Sequence, residues 1–115
     1  MDQAAANQPM SEITATELKK RLDSGEDLQI IDVRESHEVA IGKIATSLHI
    51  PLAQIVNRMS EIDPARETVV HCKMGGRSAR AIEALKRSGF SGNLANLKGG
   101  IIAWSNEVDP TVPKY

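Results

Sequence analysis

Hydrophobic and polar positions along this chain change period several times. Each change marks an element. Ser11-Glu12-Ile13 reads as a short edge strand, and Leu18 with Leu22 forms the apolar stripe of a helix. That helix opens on Thr14-Ala15-Thr16-Glu17, which has capping-box spacing, and stops at Ser24-Gly25. Leu28-Gln29-Ile30-Ile31-Asp32-Val33 is a buried strand, followed by a helical turn over 36–41 before Gly42. Ala45 to Ile50 predicts a short strand stopped by Pro51. Leu52, Ile55, Val56, Met59 and Ile62 recur at helical spacing until Pro64. Residues 68–72 predict a strand and 77–88 a helix whose inner face carries Ala79, Ile82 and Leu85. Lys86 and Arg87 fall in its last turn and Gly89 just beyond. Asn93 to Leu97 is a last strand. Gly99-Gly100 then turns into a short helix holding Ile101, Ile102 and Trp104, and Pro110 and Pro113 break the tail.

Strands alternating with helices predict an α/β fold with a parallel sheet covered on both faces. Functional groups then belong at the carboxyl ends of the strands. Two candidate clusters fall there: Asp32 with Arg34, Glu35 and Glu38, and the segment beginning at Cys72.

The 115 residues suit one domain over 11–115. Residues 1–10, rich in Ala, Gln and Asn, read as a disordered tail or linker; they lack the basic start and apolar core of a secretory signal. The net charge of −1 and only three aromatic residues argue against a nucleic-acid partner, and no apolar run is long enough for a membrane span. The single cysteine excludes an internal disulfide and a multi-cysteine metal site. It fits a reducing, cytoplasmic setting.

That cysteine sits where strand becomes loop, in His71-Cys72-Lys73-Met74-Gly75-Gly76-Arg77-Ser78. The glycines let the loop curl so that its N–H groups point inward, and the following helix adds its positive end. A thiol in such a cradle shifts toward thiolate. The bland reading, a small core residue, does not explain why the only cysteine precedes a glycine loop and a helix start. Arg77, a cation near a helix N-terminus, calls for an anionic partner, either substrate or carboxylate. Cysteine phosphatases place five residues between Cys and Arg. Here there are four, and the tighter ring suits a single bound sulfur atom better than a tetrahedral oxyanion.

This loop resembles that of the rhodanese family of sulfurtransferases. So do Ile31-Asp32-Val33-Arg34-Glu35 with Glu38 and Gly42-Lys43-Ile44, and the closing Gly99-Gly100-Ile101-Ile102-Ala103-Trp104. Val39, Lys43 and Ala45-Thr46 depart from the family pattern, all outside the loop. The loop and the ending through Asp109-Pro110 are most similar to the C-terminal domain of the adenylyltransferase–sulfurtransferases.

The resemblance implies a single rhodanese-like domain with about five mostly parallel strands. It implies a Cys72 nucleophile that carries a persulfide, and substrate-binding roles for Lys73, Met74, Gly75, Gly76 and Arg77. Asp32, Arg34 and Ser78 are expected to support the loop, with Asp32 bracing it, although Asp32, Arg34 and Glu38 also read as a structural ion-pair cluster. His71 reads as backing the loop, His37 and His49 as surface residues, and Trp104 as packing. The implied partners are a small anionic sulfur donor, a cysteine desulfurase and a ubiquitin-like carrier ending in Gly-Gly. No metal or organic cofactor is expected. The competing readings are a cysteine phosphatase or arsenate reductase and a non-catalytic rhodanese-like binding module.

Overall fold

The computed structural model describes residues 11–115; the expected tail over 1–10 lies outside the described residues. Five strands form one parallel sheet: β1 (Glu12–Ile13), β2 (Leu28–Asp32), β3 (Leu48–His49), β4 (Glu67–His71) and β5 (Leu94–Leu97), in the order β1-β5-β4-β2-β3. Four helices connect or follow them: α1 (Ala15–Asp23), α2 (Ser36–Ile41), α3 (Gly76–Arg87) and α4 (Gly100–Glu107). The predicted α/β architecture is therefore the observed one.

Alternation along the central strands divides the core in two. Ile31 and Val70 face one side, where they meet Ile82 and Leu85 of α3. Ile30 and Val69 face the other, where they meet Leu18 of α1 and Ile101 and Trp104 of α4. The Trp104 packing role is as expected. The capping box forms at α1: the Thr14 hydroxyl accepts from the Glu17 N–H, and the Glu17 carboxylate accepts from the Thr14 N–H.

Two elements differ from the sequence pattern. The strand expected over 45–50 shrinks to Leu48–His49, because Ile44–Ser47 closes a turn. The Ser47 N–H and hydroxyl both donate to the Ile44 carbonyl, and Thr46 takes a left-handed φ of 68°. The helix expected over 52–62 is two 3₁₀ turns, Leu52–Gln54 and Met59–Glu61. The buried residues explain it. Ile55 and Ile62 point inward while Val56 is exposed, and the 52/55 and 59/62 spacings of three fit 3₁₀ turns as well as an α-helix.

Register places the site. Asp32 of β2 pairs with His71 of β4, so the two central strands end side by side and their following loops are neighbours.

Candidate active site

Cys72 is the first residue after β4, and its chain must turn sharply to enter α3. Gly75, with φ 122°, makes that turn. Its N–H donates to Cys72 Sγ at 3.1 Å. The N–H groups of Met74 and Ser78 bear on the same sulfur, and the Ser78 Oγ lies 3.4 Å from it. The amides addressing the Cys72 sulfur are thus those of 74, 75 and 78. Burial pushes the Cys72 thiol up; the Ser78 hydroxyl and the amides of Ser78, Gly75 and Met74 outweigh it and hold the thiol below its ordinary range. Cys72 itself is 1% exposed. With Lys73, Met74, Gly76, Arg77 and Arg80 it lines a cavity of about 270 Å³.

Two contacts hold the loop from behind, and both escaped the sequence reading. Asn96 of β5, 5% exposed, donates through Nδ2 to the Gly75 carbonyl at 3.0 Å and accepts from the Ser78 hydroxyl at 2.6 Å. The only signal for it was an amide inside an otherwise apolar strand. The second contact is the start of α4. The Ile101 and Ile102 N–H groups donate to the Cys72 and Lys73 carbonyls at 3.0 and 3.3 Å. Gly100 permits this approach: at φ 58°, a Cβ there would stand 2.7 Å from the Cys72 carbonyl oxygen and closer still to that of Lys73.

Arg77 finds a carboxylate. It forks onto Glu38 of α2 at 2.7 and 2.9 Å, and the guanidinium holds the Glu38 carboxyl down at about 2. Lys73 extends over the Tyr115 ring, its Nζ 5.4 Å from the centroid. Met74 is 68% exposed at the rim.

The expected bracing of the loop by Asp32 is not what the structure contains. Asp32 is fully buried and paired with Arg34, which is equally buried, at 2.7 Å. Arg34 spends its remaining donors on the carbonyls of Glu38, Gly42 and Tyr115. Beyond Arg34, the Asp32 carboxylate comes within 3.7 Å of His71 Nε2 at the end of β4. Its short carboxylate is already committed to Arg34, which is why it cannot also hold the loop.

His71 backs the loop as expected. Its Nδ1 lies 3.2 Å from the Cys72 carbonyl, which can only accept, so Nδ1 carries the hydrogen and Nε2 has no hydrogen-bond partner. Burial pushes the imidazole down, keeping it neutral. His37 is exposed as expected. His49 is not a free surface residue: its Nε2 lies 2.6 Å from the Arg34 carbonyl.

A family model, the rhodanese-like domain, matches residues 14–107. The chain belongs to the rhodanese-like family. Among its relatives, a sulfurtransferase of Allochromatium vinosum is 40% identical over 103 residues, covering 90% of this chain and 95% of that protein. The probable adenylyltransferase/sulfurtransferase MoeZ of Mycobacterium tuberculosis is 39% identical over an alignment of 116 positions that covers 99% of this chain and 29% of MoeZ. The rhodanese-like chain also superposes on a thiosulfate sulfurtransferase structure from Pseudomonas aeruginosa with a TM-score of 0.79 at 26% identity, covering 91% of this chain and 20% of that one. Among the described residues of this rhodanese-like domain, no helix is long and apolar enough to cross a membrane.

Proposed function

We propose that this chain is a sulfurtransferase that carries a single sulfur atom on Cys72. The observation that carries the reading is the sole thiol accepting the Gly75 N–H at 3.1 Å inside a six-residue loop. The resemblance to proteins named sulfurtransferases supports it.

With thiosulfate as donor, the Cys72 thiolate attacks the outer sulfur. A new S–S bond forms, the thiosulfate S–S bond breaks, and sulfite leaves with the electron pair. The product is a Cys72 persulfide anion. A protein persulfide, such as that of a cysteine desulfurase, donates by the same displacement and leaves as a thiolate. The outer sulfur then sits one bond further out, among the cavity residues Lys73, Met74, Gly76 and Arg77. The positive ends of α3 and of α4, which abuts the loop's carbonyls, stabilise its charge. Attack by cyanide on the outer sulfur forms thiocyanate and returns the Cys72 thiolate, a ping-pong cycle. With a carrier protein, the persulfide sulfur attacks the activated carboxyl and the activating group leaves. An external thiol then attacks Cys72 Sγ, releasing the carrier thiocarboxylate and leaving a mixed disulfide that a second thiol reduces to the Cys72 thiolate. The likeness to MoeZ, named a probable adenylyltransferase/sulfurtransferase, supports an adenylated acceptor.

The test is thiosulfate:cyanide transfer measured beside phosphomonoester hydrolysis, with Cys72→Ser as control. Thiocyanate formation lost in the variant supports the proposal. Phosphate release without thiocyanate reverses it in favour of a cysteine phosphatase.

A further inference from the structure

We infer that Arg80, on the first turns of α3 rather than in the loop, is the residue that selects anionic substrates at the cavity over Cys72. The cavity mouth holds three cations: Lys73, Arg77 and Arg80. Two are already engaged. Arg77 is held in a two-pronged pair with Glu38, whose carboxyl stays ionised down to about pH 2, so this charge is cancelled at any working pH. Lys73 is turned onto the Tyr115 ring. Arg80 is exposed and forms no side-chain hydrogen bond or ion pair among the described residues. The carboxylate nearest to it along the helix, Glu83, pairs instead with Arg87 at 4.0 Å.

The surroundings of Arg80 sharpen this. The first turn of α3 contains no acidic residue, and Arg77 gains Glu38 while Arg80, just beyond that turn, gains no carboxylate from the fold. An uncompensated charge beside a cavity of about 270 Å³ that Cys72 also lines raises the local concentration of small anions there. The ligand class is a compact anion carrying its charge within a few bonds of the reacting atom, such as a thiosulfonate or thiosulfate. The identity of the transferred atom rests on the sulfur-transfer reading; the role of Arg80 in anion selection does not.

The test therefore uses two alkylating reagents of similar size, anionic iodoacetate and neutral iodoacetamide, on Cys72 at low ionic strength. Arg80→Glu is expected to lower the iodoacetate-to-iodoacetamide rate ratio about tenfold and Arg80→Gln by less, with both differences shrinking in high salt. Lys86→Glu changes net charge equally in the last turn of the same helix and leaves the Glu83–Arg87 pair in place, so it is expected to leave the ratio unchanged. A ratio unaffected by Arg80→Glu, or lowered as much by Lys86→Glu, overturns the inference. In thiocyanate assays Arg80→Glu is expected to raise KM for thiosulfate about tenfold with kcat within about twofold. Wild-type protein that makes no thiocyanate defeats the sulfur-transfer reading, while the alkylation ratio still decides the role of Arg80.

Discussion

Two loops leave the same edge of the sheet, after β2 and after β4, and they use their polar groups in opposite ways. The first carries more charge. Asp32 and Arg34 are buried, but the carboxylate is consumed by Arg34, and Arg34 by Asp32 and by backbone carbonyls. The second carries one titratable thiol, and backbone donors converge on it from three residues. Charge density alone would have pointed to the first loop. What distinguishes the second is donors aimed at an atom that can change its charge. The first loop holds the fold; the second aims its donors at one sulfur.

The largest effect expected from breaking this contrast is on the first loop. Arg34→Met leaves the Asp32 carboxylate buried without its partner, a loss of about 3–5 kcal/mol. Denaturant melts measure it. At a temperature where the variant remains folded, its Cys72 alkylation should keep the wild-type pH profile; a shifted profile would merge the two loops into one functional unit.

A smaller loss, about 1–3 kcal/mol, is expected for Gly100→Ala, whose Cβ must displace the Cys72 and Lys73 carbonyls. Unlike Arg34→Met, it should also slow alkylation, because it moves the amides that address the sulfur. Ser78→Ala should act on the thiol and also cost about 1–3 kcal/mol, because the buried Asn96 Oδ1 loses its donor. Removing the hydroxyl takes away a contact that holds the Cys72 pKa down, so the pKa rises. The reactive form exists above that pKa, so at neutral pH alkylation falls about tenfold and recovers as the pH is raised. An unchanged profile would show that the amides suffice.

Glu38→Gln gives the smallest effect, about 1 kcal/mol, since the pair with Arg77 is partly open to solvent. The sign follows from the depressed carboxyl. Its stabilisation is complete above the ordinary value of 4.5 and lost as pH falls toward about 2. Acid melts of wild type and variant should therefore differ above pH 4.5 and converge near pH 2.

Much of this arrangement was legible from residue order. The switch from a buried strand to a glycine loop and then to helical spacing located Cys72 at a strand's carboxyl end, and the capping box set the start of α1. The partner of Arg77 was not legible, because Glu38 stands 39 residues away and only the pairing of β2 with β4 brings α2 beside the loop. Asn96 was hidden for the same reason: its partners, Gly75 and Ser78, lie across the neighbouring strand. Gly99-Gly100 reads locally as a turn, and only the tertiary contact explains why position 100 excludes a side chain. The 52–62 segment misled because spacings of three serve α and 3₁₀ turns alike.

The most direct measurement is the intact mass of the reduced protein after brief exposure to thiosulfate. A gain of one sulfur atom is predicted, mapped to Cys72 and removed by cyanide with release of thiocyanate. Protein that keeps its original mass and a free, alkylatable Cys72 would contradict the account.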